Sequence, residues 1–356
     1  MVPRGKGRGS GSRGQVTLVD VAREASCSVS LASIVMRGAP GASEVTRARV
    51  KAVADRLGYR PDQRARGLRR VHSGLIGVTF RIHHPFHADL VEGLYQAAGD
   101  SGYELVLGGV VRGTDDVEAA EPLLRDRCEA LVMVGPTVRP ARLESLAAEI
   151  PVVAVARPLR VEGVDVVRID DSGGITLAVD HLRELGHRRI THIDGAGAPS
   201  SVERVAGYLS AMDAHGLAGQ ASVVRGGTEE VDGVRAATHV LEAQERPTAL
   251  TVFNDRCATG VVNRLIQAGV DVPGEMSVVG FDDSGQAVTA LVPLTTVAQD
   301  TRLMARTAFE RAVARTGRQY LPGEQVLVPR LVPRDSSGPV PTEAVASVRC
   351  QPMPAR

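Results

Sequence analysis

The sequence predicts a small all-α head of three helices followed by an α/β body in two lobes. Three observations predict it. Helical patterning with capping residues fills residues 15–59. Short valine-rich runs alternating with helical stretches fill residues 74–335, and basic side chains gather in the first part while acidic ones prevail in the second. At 356 residues, with 43% hydrophobic and 23% charged side chains, the chain has the composition of a globular protein and the length of more than one domain.

The head starts at Thr17, whose hydroxyl caps the first helix while Asp20, three residues on, returns a carboxylate to the cap. Val21, Ala22 and Ala25 supply its small apolar face. Ser26-Cys27 makes a turn, and Ser28 caps a second helix, VSLASIVM. A third helix begins at Ser43 and runs SEVTRARVKAVADRLGY, with Val50, Val53, Ala54 and Leu57 on one stripe and Gly58 placed to end it. A tight turn between the first two helices makes this a helix-turn-helix arrangement, although a plain helical bundle shares the pattern.

Charge separates the two parts. Residues 1–73 carry 15 Lys/Arg against 5 Asp/Glu, a net of +10, and the remainder a net of −9, which the total of +1 conceals. Residues 1–14 read as a disordered basic tail in Gly/Ser-rich sequence. Without its Arg4, Lys6, Arg8 and Arg13, residues 14–73 still hold +6. A basic head on an acidic body is the pattern of a polyanion binder.

Arg60-Pro61 interrupts the helical pattern. The following DQRARGLRR has only Ala65 and Leu68 as apolar residues, with Gly67 between them, and cannot hold a helix by itself. Residues 60–73 therefore read as a linker, or as a helix that forms only against a partner.

From Leu75 the runs LIGVTF, YELVL, ALVMVG, PVVAVA and VDVVRI are short, β-branched and nearly all apolar. After the long helical stretch ITLAVDHLRELGH the alternation resumes with RITHID, ASVVRG, TALTVF and SVVGF. Such runs predict parallel sheets buried on both faces, and roughly ten strands suit two lobes better than one sheet. Ligands in such folds bind at the carboxyl ends of strands, here in the cleft between lobes. Asn254 and Asp255 follow TALTVF, Asp282 follows SVVGF, and Gln299 ends TTVAQ. These form a polar ring suited to a polyhydroxylated ligand. Phe86, Phe253 and Phe281 fall in the same loops, where ring faces would stack on a sugar or else fill the core.

Several classes are excluded. No nucleophile–base pair stands out, and GAGAPS after RITHID lacks the glycine spacing and lysine of a phosphate loop, so no enzyme is expected. Cys27, Cys128, Cys257 and Cys350 are far apart, without metal spacing or a disulfide framework. With no apolar run near 18 residues and no signal segment, the reading is a cytoplasmic protein without membrane contact. His83, His84 and His87 form HHPFH, but a metal site needs ligands oriented together and supported from behind, so neither metal nor other cofactor is expected.

VTLVDVAREASCSVS and TRARVKAVADRLGYRPDQRARGL in the head resemble the lac-repressor family of bacterial transcription regulators. In the body HPFHADLVEG, HLRELGHRRI, ERVAGY, FNDRCATGV, VPGEMSVVGFDDS and PLTTVAQD match family blocks in the same order. The resemblance covers about residues 16–335. It implies a homodimer with two helix-turn-helix heads on a pseudo-palindromic double-stranded operator, as a repressor, and a periplasmic-binding-protein-like body closing on a small-molecule effector such as a sugar.

Residue roles follow from the resemblance. Thr17, with Leu18 beside it, and Ser33 and Thr46 would hold phosphates, which set register without reading sequence. Where many members read TVSRVLNG this chain has LASIVMRG, so Ile34 replaces an arginine able to grip guanine, and Arg37 an asparagine. Val29 and Ile34 are expected on thymine methyls, with Ser30 and Arg37 as polar readers; in the other reading Ile34 only faces the DNA backbone. In the hinge, Leu68 would enter the minor groove, with Ala65 one turn earlier and Arg64 and Arg66 beside phosphates. In the body, Arg204 stands where the family places an effector-binding arginine, and His84 and His87 are candidate hydrogen-bonding partners of the effector. The Pro-rich residues 336–356 read as a disordered tail without the leucine heptads of a tetramerising coil.

Two alternatives belong to other classes. A transporter's solute-binding protein would share the body but need a secretion signal and no head. A cytoplasmic sugar-type binding protein with a weak or non-specific DNA head would keep both parts and lose sequence reading.

Overall fold

The computed structural model describes residues 16–59, 72–99, 101–317 and 322–340. The expected basic tail, the hinge residues Arg64, Ala65 and Leu68, and the end of the chain from residue 341 lie outside the described residues. The chain divides into two compact units, one ending at His72 and the other beginning at Ser73.

The first unit contains helices α1 (Leu18–Glu24), α2 (Val29–Met36) and α3 (Glu44–Leu57). Their ends are set by the predicted side chains. Thr17 and Asp20 form a reciprocal capping box on α1, with the Thr17 hydroxyl 2.7 Å from Asp20 Oδ2. Ser28 accepts the Leu31 N–H at 3.1 Å, and Ser43 caps α3. Gly58 ends α3 at φ +66, a conformation that costs a residue without Cβ little. Ser26 takes the left-handed turn between α1 and α2 at φ +48. Val21, Ala22, Ala25, Ala32, Val35, Val50, Val53 and Ala54 form the core beneath these helices.

The second unit holds two six-stranded sheets. The first is built from β1 (Leu75–Arg81), β2 (Glu104–Val110), β3 (Ala130–Val134), β4 (Val152–Val155), β5 (Val164–Ile169) and a late strand, β11 (Glu324–Leu327), in the order β11-β5-β4-β3-β1-β2. Helices α4 (Pro85–Ala98), α5 (Asp116–Arg125) and α6 (Pro140–Glu149) connect it. The second comprises β6 (Ile190–Ile193), β7 (Ser222–Val224), β8 (Ala249–Val252), β9 (Ser277–Asp282), β10 (Thr295–Ala298) and β12 (Arg330–Val332), in the order β12-β10-β9-β8-β6-β7. Its helices are α7 (Asp171–Glu184), α8 (Ser201–Ala214), α9 (Glu230–Glu242), α10 (Asp255–Gln267) and the short α11 (Gly285–Thr289).

Among the described residues every strand pair is parallel except β10–β12, which is antiparallel. The all-apolar runs are buried on both faces: ALVMV of β3 and VVAV of β4 are buried throughout. Each such Val or Leu side chain contributes about 1.5–3 kcal/mol by leaving water. Crossing segments tie the lobes together, because α7 follows β5 of the first sheet but packs on β8, β10 and β12 of the second. Likewise α12 (Thr301–Thr316) follows β10 but packs on α4 and on β3, β4 and β5.

The end of the body needs one correction. A tail was expected from Ser336, yet Ser336 is fully buried. Its hydroxyl donates to the Val278 carbonyl at 2.6 Å and accepts the Thr295 N–H at 2.8 Å. Val340 N–H donates to the Leu185 carbonyl at 2.9 Å. Residues 336–340 thus close the second lobe. Composition did not reveal this, because a buried serine is recognised only by the backbone groups it satisfies.

Candidate functional sites

The outer face of the head's second helix carries the expected reading residues together with Ser33, expected at a phosphate. With about 100° between successive residues, Val29, Ser33, Arg37, Ser30 and Ile34 share one arc of α2, opposite Ala32 and Val35 in the core. Val29, Ser30 and Arg37 are exposed, and Ser33 and Ile34 half-buried. Arg37 folds back to donate Nε to the Ser33 carbonyl at 3.1 Å. Ile34 lies by the α2–α3 loop, its Cγ2 3.9 Å from where a Cβ on Gly41 would stand. Leu18 instead packs against the head core. Thr17 and Thr46 are partly engaged in capping, Thr46 with its hydroxyl 2.9 Å from that of Ser43.

Between the two lobes of the second unit lies a cavity of about 760 Å³. Seven of the nine expected effector residues line it: His84, Phe86, His87, Arg204, Asn254, Asp282 and Gln299. Arg204, one turn into α8, is buried among fixed partners. Its Nε donates to Asp171 Oδ1 at 2.9 Å, its Nη1 donates to the Phe253 carbonyl, and its guanidinium lies 3.5 Å from the Phe281 ring centroid. Asn254 caps α10 by accepting the Cys257 N–H at 2.9 Å and donates Nδ2 to the Thr228 carbonyl at 3.2 Å.

Asp282 ends β9 at φ +118, a region costly for any residue with a side chain. Burial pushes its carboxyl up to about 8, with Arg204 opposing and Asp255 reinforcing the shift. On the first lobe His84 precedes α4 and His87 lies in its first turn, their ring centroids 4.4 Å apart. Burial, then Arg256, Arg81 and Arg204, lower His84 to about 4. His87 is also held well below the usual histidine range, chiefly by burial. Its Nδ1 accepts the Arg81 N–H at 3.1 Å, which places the ring proton on Nε2. The ring occupies space left by Gly135, where a Cβ would come within 2.9 Å of it.

Two expected effector residues are not in this wall. Asp255 is fully buried behind it, accepting from Ser284 N–H at 2.8 Å and from the Thr296 hydroxyl at 2.5 Å. Phe281 is fully buried as the platform under Arg204, so core packing, not a free ring face, is its place. Sequence reasoning missed Arg81, Arg112, Thr137 and Arg256, which line the cavity. Arg81 ends β1 and Arg112 follows β2, so the strand-end rule used for Asn254 would have found both. Among the described residues no group of three or more His, Cys, Asp and Glu converges as a metal site, and no helix is long and apolar enough to cross a membrane.

Residues 17–62 match the model of bacterial regulatory proteins, lacI family, and residues 179–337 that of a periplasmic binding protein-like domain. The HTH-type transcriptional regulator GalR of Escherichia coli strain K12 is 34% identical over 326 residues, covering 90% of this chain and 95% of GalR. The chain belongs to the lacI family. Its lacI-family relatives are transcriptional regulators, not enzymes.

Solved lacI-family structures agree with both units. A LacI transcriptional regulator from a Rhodococcus species is 47% identical, with TM-score 0.74 over 75% of this chain and 100% of that one. The lac repressor dimer bound to operator and an anti-inducer is 27% identical, with TM-score 0.79 over 91% of this chain and 99% of that one. The regulator CelR in complex with cellobiose is 30% identical, with TM-score 0.67 over 91% of this chain and 100% of that one. The helix-turn-helix head and the two-sheet body of this lacI-family chain are thus those of a DNA-binding regulator with an effector domain.

Proposed function

We propose that this regulator is a cytoplasmic repressor that binds a pseudo-palindromic duplex operator as a homodimer and is controlled by a small hydroxylated effector of the sugar class in the cleft. The observation that carries the reading is the cleft wall itself. Arg204, Asn254, Asp282 and Gln299 present fixed donors and acceptors, and Phe86 and Phe253 add ring surface. That is the mixture a sugar requires, with polar groups for hydroxyls and apolar faces for ring carbons. The lac repressor on operator and CelR with cellobiose support the same assignment by similarity.

In the head, Val29, Ser30, Ile34 and Arg37 would face the major groove. Thr17, Ser33 and Thr46 would stand near phosphates, and Leu18 would hold the first helix. Effector and operator would then share one linkage, with a coupling of about 1–3 kcal/mol in either direction.

Selection of random duplex DNA on the purified protein, with and without a panel of neutral sugars, tests this. A two-fold symmetric enriched site whose retention changes with one sugar is the expected result. Ile34→Ala should change the base preferred at a single position of each half-site. Absence of any enriched sequence under all conditions would favour a sugar-type binding protein with a non-specific head.

A further inference from the structure

The two walls of the cleft differ in charge. The second lobe contributes Arg204 and Arg256 together with both carboxylates of the lining, Glu229 and Asp282. The first lobe contributes Arg81, Arg112, three histidines and Thr137, and no Asp or Glu among the described residues that line it. Arg81 donates Nη2 to the Thr137 hydroxyl, and the carboxylate nearest it is Asp116, 3.9 Å from Nη2 and fully buried behind the wall.

The arginines of the second lobe are already engaged. Arg256 donates Nε to Glu230 at 2.7 Å, Nη2 to Glu229 at 2.7 Å and Nη1 to the His83 carbonyl at 3.0 Å. Arg204 is held by Asp171 and the Phe253 carbonyl. Arg112 is exposed and has no carboxylate partner among the described residues. Strand pairing puts Arg81 and Arg112 on one rim, because Arg81 lies opposite Val110 in the parallel β1–β2 pair and Arg112 follows two residues later. His84, inside this rim, is kept neutral chiefly by burial, with Arg256, Arg81 and Arg204 acting in the same direction. With its own proton on Nε2, His87 adds a neutral donor on the same side.

Resting on the cleft reading above, we infer that the effector is bipolar: its hydroxylated part lies on the second lobe's wall, and an anionic phosphate or carboxylate is held by Arg81 and Arg112 on the first. A planar guanidinium offers paired donors to such an oxyanion, and desolvation in a cleft strengthens them. Burial raises the Asp282 carboxyl to about 8, which lessens its opposition to this anion.

Calorimetric titration of the full chain, free of DNA, with inorganic phosphate and separately with acetate, each at ionic strength matched with chloride, tests the inference. At least one oxyanion should bind beyond chloride, and which one does distinguishes a phosphorylated from a carboxylated effector. Arg112→Ala should weaken that binding about tenfold, with part restored in Arg112→Lys. Arg112 is the primary variant because Arg81→Ala would also strand the buried Asp116. Binding that survives undiminished in Arg112→Ala would come from elsewhere, such as the basic head, and would overturn the proposal. Failure of both oxyanions, with DNA binding still responsive to a neutral sugar, would overturn it while leaving the cleft reading in place. Failure of both together with no sugar response would remove both readings.

Discussion

Gln299 donates its side-chain amide to Asp282 Oδ1 at 2.7 Å, joining the carboxyl ends of two neighbouring parallel strands at the floor of the cleft. Burial disfavours the Asp282 carboxylate more than Arg204 and Gln299 favour it, so the group keeps its proton to about 8. A protonated Asp282 can accept from Gln299 and still donate into the cleft.

Protonation links Asp282 to stability. Its folded-state value lies above the unfolded 3.8, so the stability it contributes is full at low pH and is lost as pH rises towards 8. His84 and His192, lowered from 6.5 to about 4, act in the opposite sense, as do His87, His181 and His187, also held below 6.5 by burial, and their gain is complete only about a unit above 6.5. From about pH 7.5 to 8, stability should therefore fall by at most about 1.4 kcal/mol per unit. Urea unfolding at a series of pH values should show this slope in the wild type and a flat profile in Asp282→Asn. An equal slope in both would assign it to another group.

Arg204→Ala should destabilise the body before any question of effector arises. The substitution leaves Asp171, 2% exposed, without its counter-charge and opens space above Phe281. Breaking a buried pair on one side costs about 3–5 kcal/mol. Arg204→Met with Asp171→Asn should recover much of the loss in thermal unfolding, whereas a double variant as unstable as the single one would contradict the ion-pair explanation.

Ser28→Ala should loosen the head alone. The hydroxyl satisfies the Leu31 N–H at the start of α2, and such caps are worth about 1 kcal/mol. Hydrogen exchange on the full chain should speed up in residues 29–36 and stay unchanged in β3 and β4. Uniform acceleration would mean that the cap matters beyond the head.

Leu68→Ala should separate specific from non-specific DNA binding. If Leu68 wedges into the minor groove, its loss lowers affinity for the selected site and leaves the salt-dependent binding of random duplex intact. Equal weakening on both DNAs, measured by fluorescence anisotropy across salt concentrations, would remove the hinge role.

Much of this architecture was legible because it rests on local rules. Thr17, Asp20, Ser28, Ser43 and Gly58 mark helix ends by hydrogen bonds made within three or four residues. The valine-rich runs mark strands buried on both faces, and the strand-end rule led to Asn254, Asp282 and Gln299. In the first lobe the same signal marks Arg81 at the end of β1 and Arg112 just beyond β2. The burial of Ser336 had no such signal, since its partners Val278 and Thr295 lie about 40–60 residues away in the chain.

Sequence by itself determined the two-part plan, the helix caps, the parallel sheets and the family. Tertiary structure decided which neighbour in each strand-end pair meets the cleft. Asn254 lines it while Asp255 turns inward to Ser284 and Thr296; Asp282 lines it while Phe281 supports Arg204 from beneath. The physical reason differs between the two ends: Phe281 and Asp282 are consecutive in β9 and point to opposite sides, whereas Asn254 caps α10 and Asp255 begins it. The order of residues therefore locates the end of a strand, but the packing of the second lobe chooses which side chain is left facing the cleft.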